Sequence, residues 1–301
     1  MITLNSDRGL VHIEDWADIE SRPGFVRDLD PKAHKLKAII GRYVFADRIR
    51  CGLSDCHTPH SKGYIVVTED GHETNIGKDC GAKYFGVDFE TLSRKFDQDL
   101  EAAQNRERLA TFRFHLEELE ARVEALRAGR HGADWVYKSV GALLSVARGC
   151  PEDAVRRLGA MVKARTPEVA TSRLATDEEI ELIEVSEGRK VSRPHYVEDS
   201  AESIPGFEAL YPENDLRALL VLDLEVHIAE FRGLSIPNLT HGQLRHWAKW
   251  VATVDGTLER ADAAVSAGRR LLTADGLGPL LQVLAPLEQA QLRGLIRSLE
   301  D

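Results

Sequence analysis

Three cysteines and three histidines fall within thirty residues of one another, in the stretch Cys51-Gly-Leu-Ser-Asp-Cys56-His57-Thr-Pro-His60 and then at His72 and Cys80. Thiolate sulfur and imidazole nitrogen are the donors that zinc takes, four in a tetrahedron with bonds of about 2.0 to 2.3 Å. Cys51 and Cys56, separated by four residues, can turn around one ion, and His60 is within reach of the same loop. Cys80 completes the set if the intervening chain folds back. The expected ligands are therefore Cys51, Cys56, His60 and Cys80, with His57 and His72 competing for the histidine place. Four protein ligands leave no open position for water, so one such zinc would be structural.

The intervening residues supply that return. Gly63-Tyr64-Ile65-Val66-Val67-Thr68 reads as a strand, Asp70-Gly71 signals a tight hairpin turn, and Glu73 to Gly77 reads as the returning strand. Cys80 then stands in the first turn of a short helix closed by Gly86, where the helix N-terminus favours a thiolate. A knuckle, a β-hairpin and a ligand at the start of a helix resemble the treble-clef type of zinc module. The closing segment Gly77-x-x-Cys80-Gly81-x-x-Tyr84-Phe85-Gly86 is also similar to cysteine/histidine modules of bacterial and phage proteins of unknown function. The resemblance covers about residues 51–86 only. Treble clefs normally take two ligands from the helix, whereas only Cys80 is available here and His60 has to replace the second.

Around this module the chain reads as α+β, a small zinc-stabilised β-hairpin unit followed by a mostly helical remainder. Four segments are expected: residues 1–95 as the zinc-binding module, 96–165 as a helical hairpin, 166–210 as an acidic irregular linker, and 211–301 as a C-terminal helical domain. Leu109, Phe112, Leu116, Leu119, Val123 and Leu126 are spaced 3-4-3-4-3 as one helical stripe, which Gly129 to Gly132 stops. Between Pro167 and Pro205 a hairpin across Ser186-Glu187-Gly188-Arg189 is conceivable. Leu216 to Phe231 reads as a central helix and Thr240 as an N-cap. Cys150 reads as a small buried hydrophobe, and Trp247 and Trp250 as core.

No apolar run approaches the roughly 20 residues that cross a bilayer, so no membrane partner is expected. The polar N-terminal residues are unlike a signal peptide, and the cysteine usage suits a reducing cytoplasm. Net charge is −10, but residues 31–95 carry eleven Lys/Arg against eight Asp/Glu, whereas residues 166–215 carry thirteen Asp/Glu against four Lys/Arg. The mildly basic zinc region suggests nucleic acid as partner, with Lys62, Lys78 and Lys83 on phosphates and Tyr64, Tyr84 and Phe85 on bases. The acidic segment suggests a protein partner, as in a phage-type adaptor or inhibitor. A metal-dependent nuclease would have to draw on His72 and Asn75. The Pro-Cys-x-x-Cys half of the deaminase pair, the Gly-x-Ser-x-Gly elbow and the Gly-x-x-x-x-Gly-Lys phosphate loop are all missing, which argues against those enzyme classes.

Overall fold

β-branched and aromatic residues recur through the N-terminal third, and there the chain forms an antiparallel sheet. Its strands are β1 (Ile2–Ser6), β2 (Gly9–Ile13), β3 (Leu36–Arg50), β4 (Pro59–Thr68) and β5 (Glu73–Ile76), in the order β2-β1-β3-β4-β5. A short helix α1 (Trp16–Glu20) precedes β3, and α2 (Lys78–Arg113) follows β5. This computed structural model describes residues 2–6 and 9–300. It comprises two units, one built from the chain up to Phe112 together with Ser235–Lys249, the other from Arg113–Leu234 and the chain from Trp250 onward.

The alternation of strand side chains assigns the two faces of the sheet. Tyr64 and Val66 pack with Ile39, Phe89, Phe96 and Leu100, so one face is covered by α2. Ile65 points the other way, into a cluster with Ile2, Leu4, Ile19 and Tyr43. The strand β3 is one long element whose register slips three times against β4. At the last slip, the five steps from Val44 to Ile49 oppose only two on β4, so residues 45–48 form a bulge.

The turn at Asp70-Gly71 forms as expected, with Gly71 at φ +88. The short helix after β5 also forms. Within α2, Gly86 takes φ 57 and ψ −134, a conformation that a side chain resists, and separates residues 78–85 from residues 87–113.

The second unit is mostly helical: α3 (Leu116–Ala128), α4 (Ala133–Leu143), α5 (Glu152–Ala164), a strand pair enclosing α6, and a π-helical stretch Arg217–Glu225 that runs into α7 (Val226–Arg232). After α8 (His241–Val251) come α9 (Val254–Leu271), α10 (Gly278–Gln282) and α11 (Pro286–Glu300). Three expectations are corrected here. The single stripe from Leu109 to Leu126 is divided between α2 and α3, because the chain leaves helix at Phe114-His115, where Phe114 lies exposed. Residues 166–210 are not an irregular linker. Strands β6 (Glu168–Leu174) and β7 (Tyr196–Ser203) pair there, with α6 (Asp177–Glu187) between them. The conceivable hairpin is that same helix: Thr176 and Glu179 form a reciprocal capping box, and Gly188 ends it in the left-handed region. Thr240 does begin α8, exchanging hydrogen bonds with Gln243, and Trp247 and Trp250 are buried.

Gly81 sets the seat of the site helix. A Cβ there would stand 2.4 to 2.5 Å from three carbons of the Phe89 ring. Gly81→Ala is therefore expected to cost about 1–3 kcal/mol in urea unfolding, with part recovered when Phe89→Leu is added. An unchanged midpoint for the single variant would mean that the ring gives way freely.

Candidate metal centre

Cys51 directly follows β3, Cys56 lies in the loop before β4, and Cys80 lies in the first turn of α2. The fold gathers their sulfurs within 4.8 Å of one another, a group that could hold a metal ion. All three are free thiols, with Cys51 buried and the other two partly so. The loop is tied down by buried polar groups. The Thr74 hydroxyl donates to the carbonyls of Val26 (2.7 Å) and Gly52 (3.2 Å), and the Gly52 N–H donates to the Asn75 carbonyl at 2.8 Å. The Asn75 amide donates to the Arg50 carbonyl at 2.9 Å and to the Tyr43 hydroxyl at 3.3 Å. Gly52 is required there, since a Cβ would lie 2.0 Å from the Thr74 hydroxyl oxygen.

The three thiols titrate differently. Burial pushes Cys51 up, partly opposed by backbone N–H groups of Leu53 and Gly77. Burial pushes Cys80 up to about 12, reinforced by the adjoining Cys56. Burial works the same way on Cys56, but the Thr58 hydroxyl and backbone and the neighbouring thiols outweigh it and bring Cys56 down to about 7. The Cys56 and Cys80 sulfurs are in contact at 3.1 Å, and of the two Cys56 gives up its proton the more readily.

His60 is not a member of the group within 4.8 Å. Its ring rests near Gly77, where a Cβ would come within 2.8 Å of Cδ2, and the N–H of that same glycine bonds the Cys51 sulfur. Nδ1 of His60 contacts the Tyr43 hydroxyl at 2.7 Å, whereas Nε2 is buried with no hydrogen-bond partner among the described residues. Burial lowers the affinity of this imidazole for a proton and keeps it neutral. His57, at φ 55, faces Asp28 at 3.6 Å. His72 belongs to a different cluster, at the hairpin turn with His34 and Asp70.

The expected nucleic-acid residues divide into two groups. Lys62, Lys78 and Lys83 are exposed. Tyr64 cannot stack on a base: it is 6% exposed, packs edge-on against Phe89 and Phe96, and donates its hydroxyl to Asp97 at 2.8 Å. Phe85 packs onto the same core. Tyr84 is held to the cysteine loop by a 2.9 Å hydrogen bond to the Asp55 carbonyl, with the Lys83 ammonium 5.0 Å from its ring centre. Asn75 is buried with its amide committed, so it offers nothing to a reaction at His72. Cys150 is buried as expected, its thiol pushed up to about 11 by burial.

The sequence pointed to no cleft, yet one of about 460 Å³ opens beside Cys51 and Gly52. Arg27, Arg48 and Arg50 line it with Trp16 and Phe25, and Glu20 and Asp28 also face it. Glu20 takes Arg27 at 2.7 Å and Asp28 lies 3.8 Å from Arg50, while Arg48 has no ion-pair partner among the described residues. The bulge in β3 and the loop before it build this basic, aromatic wall, and neither was visible in strand periodicity. Comparison with family models, curated proteins and solved structures finds no match to this chain.

In reduced, metal-free protein kept folded with a stabilising osmolyte, brief iodoacetamide treatment is expected to label Cys56 ahead of Cys51, Cys80 and Cys150. Its rate should rise as pH climbs through about 7, where thiolate replaces thiol, and fall away below. Peptide mapping reads this directly, and uniform labelling of all four cysteines would contradict the geometry.

Proposed function

We propose that this chain is a zinc-stapled binding protein whose first unit takes a nucleic-acid strand in the cleft beside the cysteine loop. Cys51, Cys56 and Cys80 would hold the zinc as thiolates, and His60, whose Nε2 has no other partner, would be the fourth ligand. The Tyr43 hydroxyl at Nδ1 suits such a role, because ligating histidines characteristically bond through their second nitrogen. Binding of zinc would contribute on the order of 10 kcal/mol to holding this unit folded.

The observation that carries the nucleic-acid reading is the cleft itself, three arginines and two aromatic rings around one opening. Guanidinium groups suit phosphate oxygens, and arginine tolerates burial beside aromatic rings better than lysine. With Tyr64 in the core, the arginines take the leading role, and Lys62, Lys78 and Lys83 add only exposed positive charge.

A second reading, a protein partner, has its own support in α6. That helix exposes Leu182 and Val185 among Asp177, Glu178, Glu181 and Glu184, and the neighbouring cross-strand pair Leu174 and Tyr196 is also exposed. An apolar strip with an acidic border suits a basic amphipathic segment, as an adaptor or inhibitor would require.

Two measurements test the proposal. Cys80→Ser is expected to lose stoichiometric zinc and to unfold the first unit while much helix persists by circular dichroism. Retention of one tightly held zinc would remove Cys80 from the ligand set. In fluorescence anisotropy with labelled single-stranded DNA, duplex DNA and RNA, binding should weaken with salt and fall by about tenfold or more in Arg48→Glu/Arg50→Glu, with a smaller loss in Lys62→Glu/Lys78→Glu/Lys83→Glu. Absence of binding even at low salt would discard nucleic acid in favour of a protein partner.

A further inference from the structure

The turn of the β4–β5 hairpin carries a second group of metal-competent side chains. His34, from the loop before β3, places Nδ1 2.7 Å from the Asp70 carboxylate, and His72 places Nε2 3.6 Å from the same oxygen. The two imidazole rings stand 5.1 Å apart, nearly perpendicular. One donor atom from each of the three residues lies within 4.8 Å of the others. His34 is 36 positions from Asp70 in the chain, so tertiary structure alone assembles the trio.

The backbone beneath these side chains is fixed. Thr68 is fully buried, and its hydroxyl both donates to the His72 carbonyl and accepts from the His72 N–H, each at 3.1 Å. The Glu69 N–H donates to the Lys35 carbonyl at 3.0 Å, which fastens the loop carrying His34 to the turn carrying Asp70. The side chains above this frame remain open to solvent, with roughly a quarter to a half of each accessible: 24% for His34, 48% for Asp70 and 44% for His72. An ion could therefore enter without unfolding anything.

We propose that His34, Asp70 and His72 form a second metal site, one that takes a borderline divalent ion such as zinc, nickel or cobalt and leaves coordination positions to water. Two imidazoles and one carboxylate are the donors such ions accept, whereas magnesium and calcium prefer oxygen alone. On binding, the His34 nitrogen that now contacts Asp70 presents its lone pair, and its proton resides on the other ring nitrogen. With three protein ligands the ion stays reachable by an exogenous donor, unlike the thiol centre. That centre lies beyond the opposite end of the hairpin, across the ladder from Val67–Glu73 to Tyr64–Ile76, roughly 10 Å of strand. The two sites are chemically and spatially separate, and this inference does not depend on the reading of the thiols.

The test is equilibrium dialysis of the full chain against buffered free zinc, followed by cobalt substitution. Wild type is expected to take a second, more readily exchanged zinc in addition to the tightly held one. That second ion should be lost in His34→Ala/His72→Ala and bound about tenfold or more weakly in the milder His72→Gln, while thermal unfolding of chains carrying only the tightly held zinc stays unchanged. Cobalt at this site should give ligand-field bands without the sulfur-to-metal charge transfer that marks the thiol centre. A single zinc lost in the histidine variants, with no charge-transfer band, would support this site and sink the thiol one. A wild type that takes only the thiol-bound ion, or a second ion indifferent to both variants, would overturn the proposal.

Discussion

Three sulfurs in one partly buried space impose a condition that the rest of the first unit is arranged to meet. Thiolates so close repel one another, and burial penalises each charge further, so without a cation most of the protons stay on. The outcome is a compromise: Cys56, beside Thr58, gives up its proton most readily, while burial and the adjoining sulfur 3.1 Å away hold the proton on Cys80. Sulfurs around one zinc stand about 3.7 Å apart, so the 3.1 Å contact would have to open slightly when an ion replaced the shared proton. The backbone around the group does not need to move for that. Gly52, Thr74 and Asn75 already lock the loop to β5, and Gly77 is positioned by the strand end.

The sheet explains why these atoms meet. Tyr43 pairs across the ladder with Gly63, where a Cβ would collide with the Tyr43 ring at 2.5 to 2.7 Å. That missing side chain lets the phenol pass under β4 to reach His60 and Asn75. The same pairing leaves Tyr64, one residue on, on the opposite face against α2. A single strand alternation therefore places one tyrosine beside the candidate metal centre and removes the other from any contact with solvent partners. Burial and the Asp97 carboxylate push Tyr64 up to about 12, as suits a phenol that donates a hydrogen bond and stays neutral.

What could be read in advance follows the range of the interaction responsible. The hairpin was legible because Asp70-Gly71 lies between two β-rich runs, and Gly86 announced its own helix break. The gathering of Cys51, Cys56 and Cys80 was legible because a hairpin of that length must return near its start. The acidity and prolines of region 166–210 point to an irregular linker, whereas Thr176-x-x-Glu179 and Gly188 together bound a helix and prevail. Tyr64 shares the helix-facing side of β4 with Val66, opposite Ile65, and that alternation buries it. His34 and the arginine cleft were not legible at all. Each depends on loops meeting across long stretches of chain, and the bulge that presents Arg48 is a mismatch between two strands that neither strand shows alone.

The hairpin β4–β5 emerges as a rigid bar with different chemistry at each end. Soft sulfur donors sit where its strands meet the knuckle and α2, shielded by the core that includes Cys51 itself. Imidazole and carboxylate sit at the turn, in solvent, above a backbone that buried Thr68 holds in place. The difference in exposure matters more than the difference in donors. A shielded ion with a full set of ligands exchanges slowly and acts as part of the fold. An exposed trio costs the fold little when empty, because its members can satisfy one another through hydrogen bonds. The sulfur end can therefore be under strict structural demand while the turn remains free to respond to what the solvent offers. Such a division is available only because the ladder between the two ends is continuous and admits no bulge between Val67 and Tyr64.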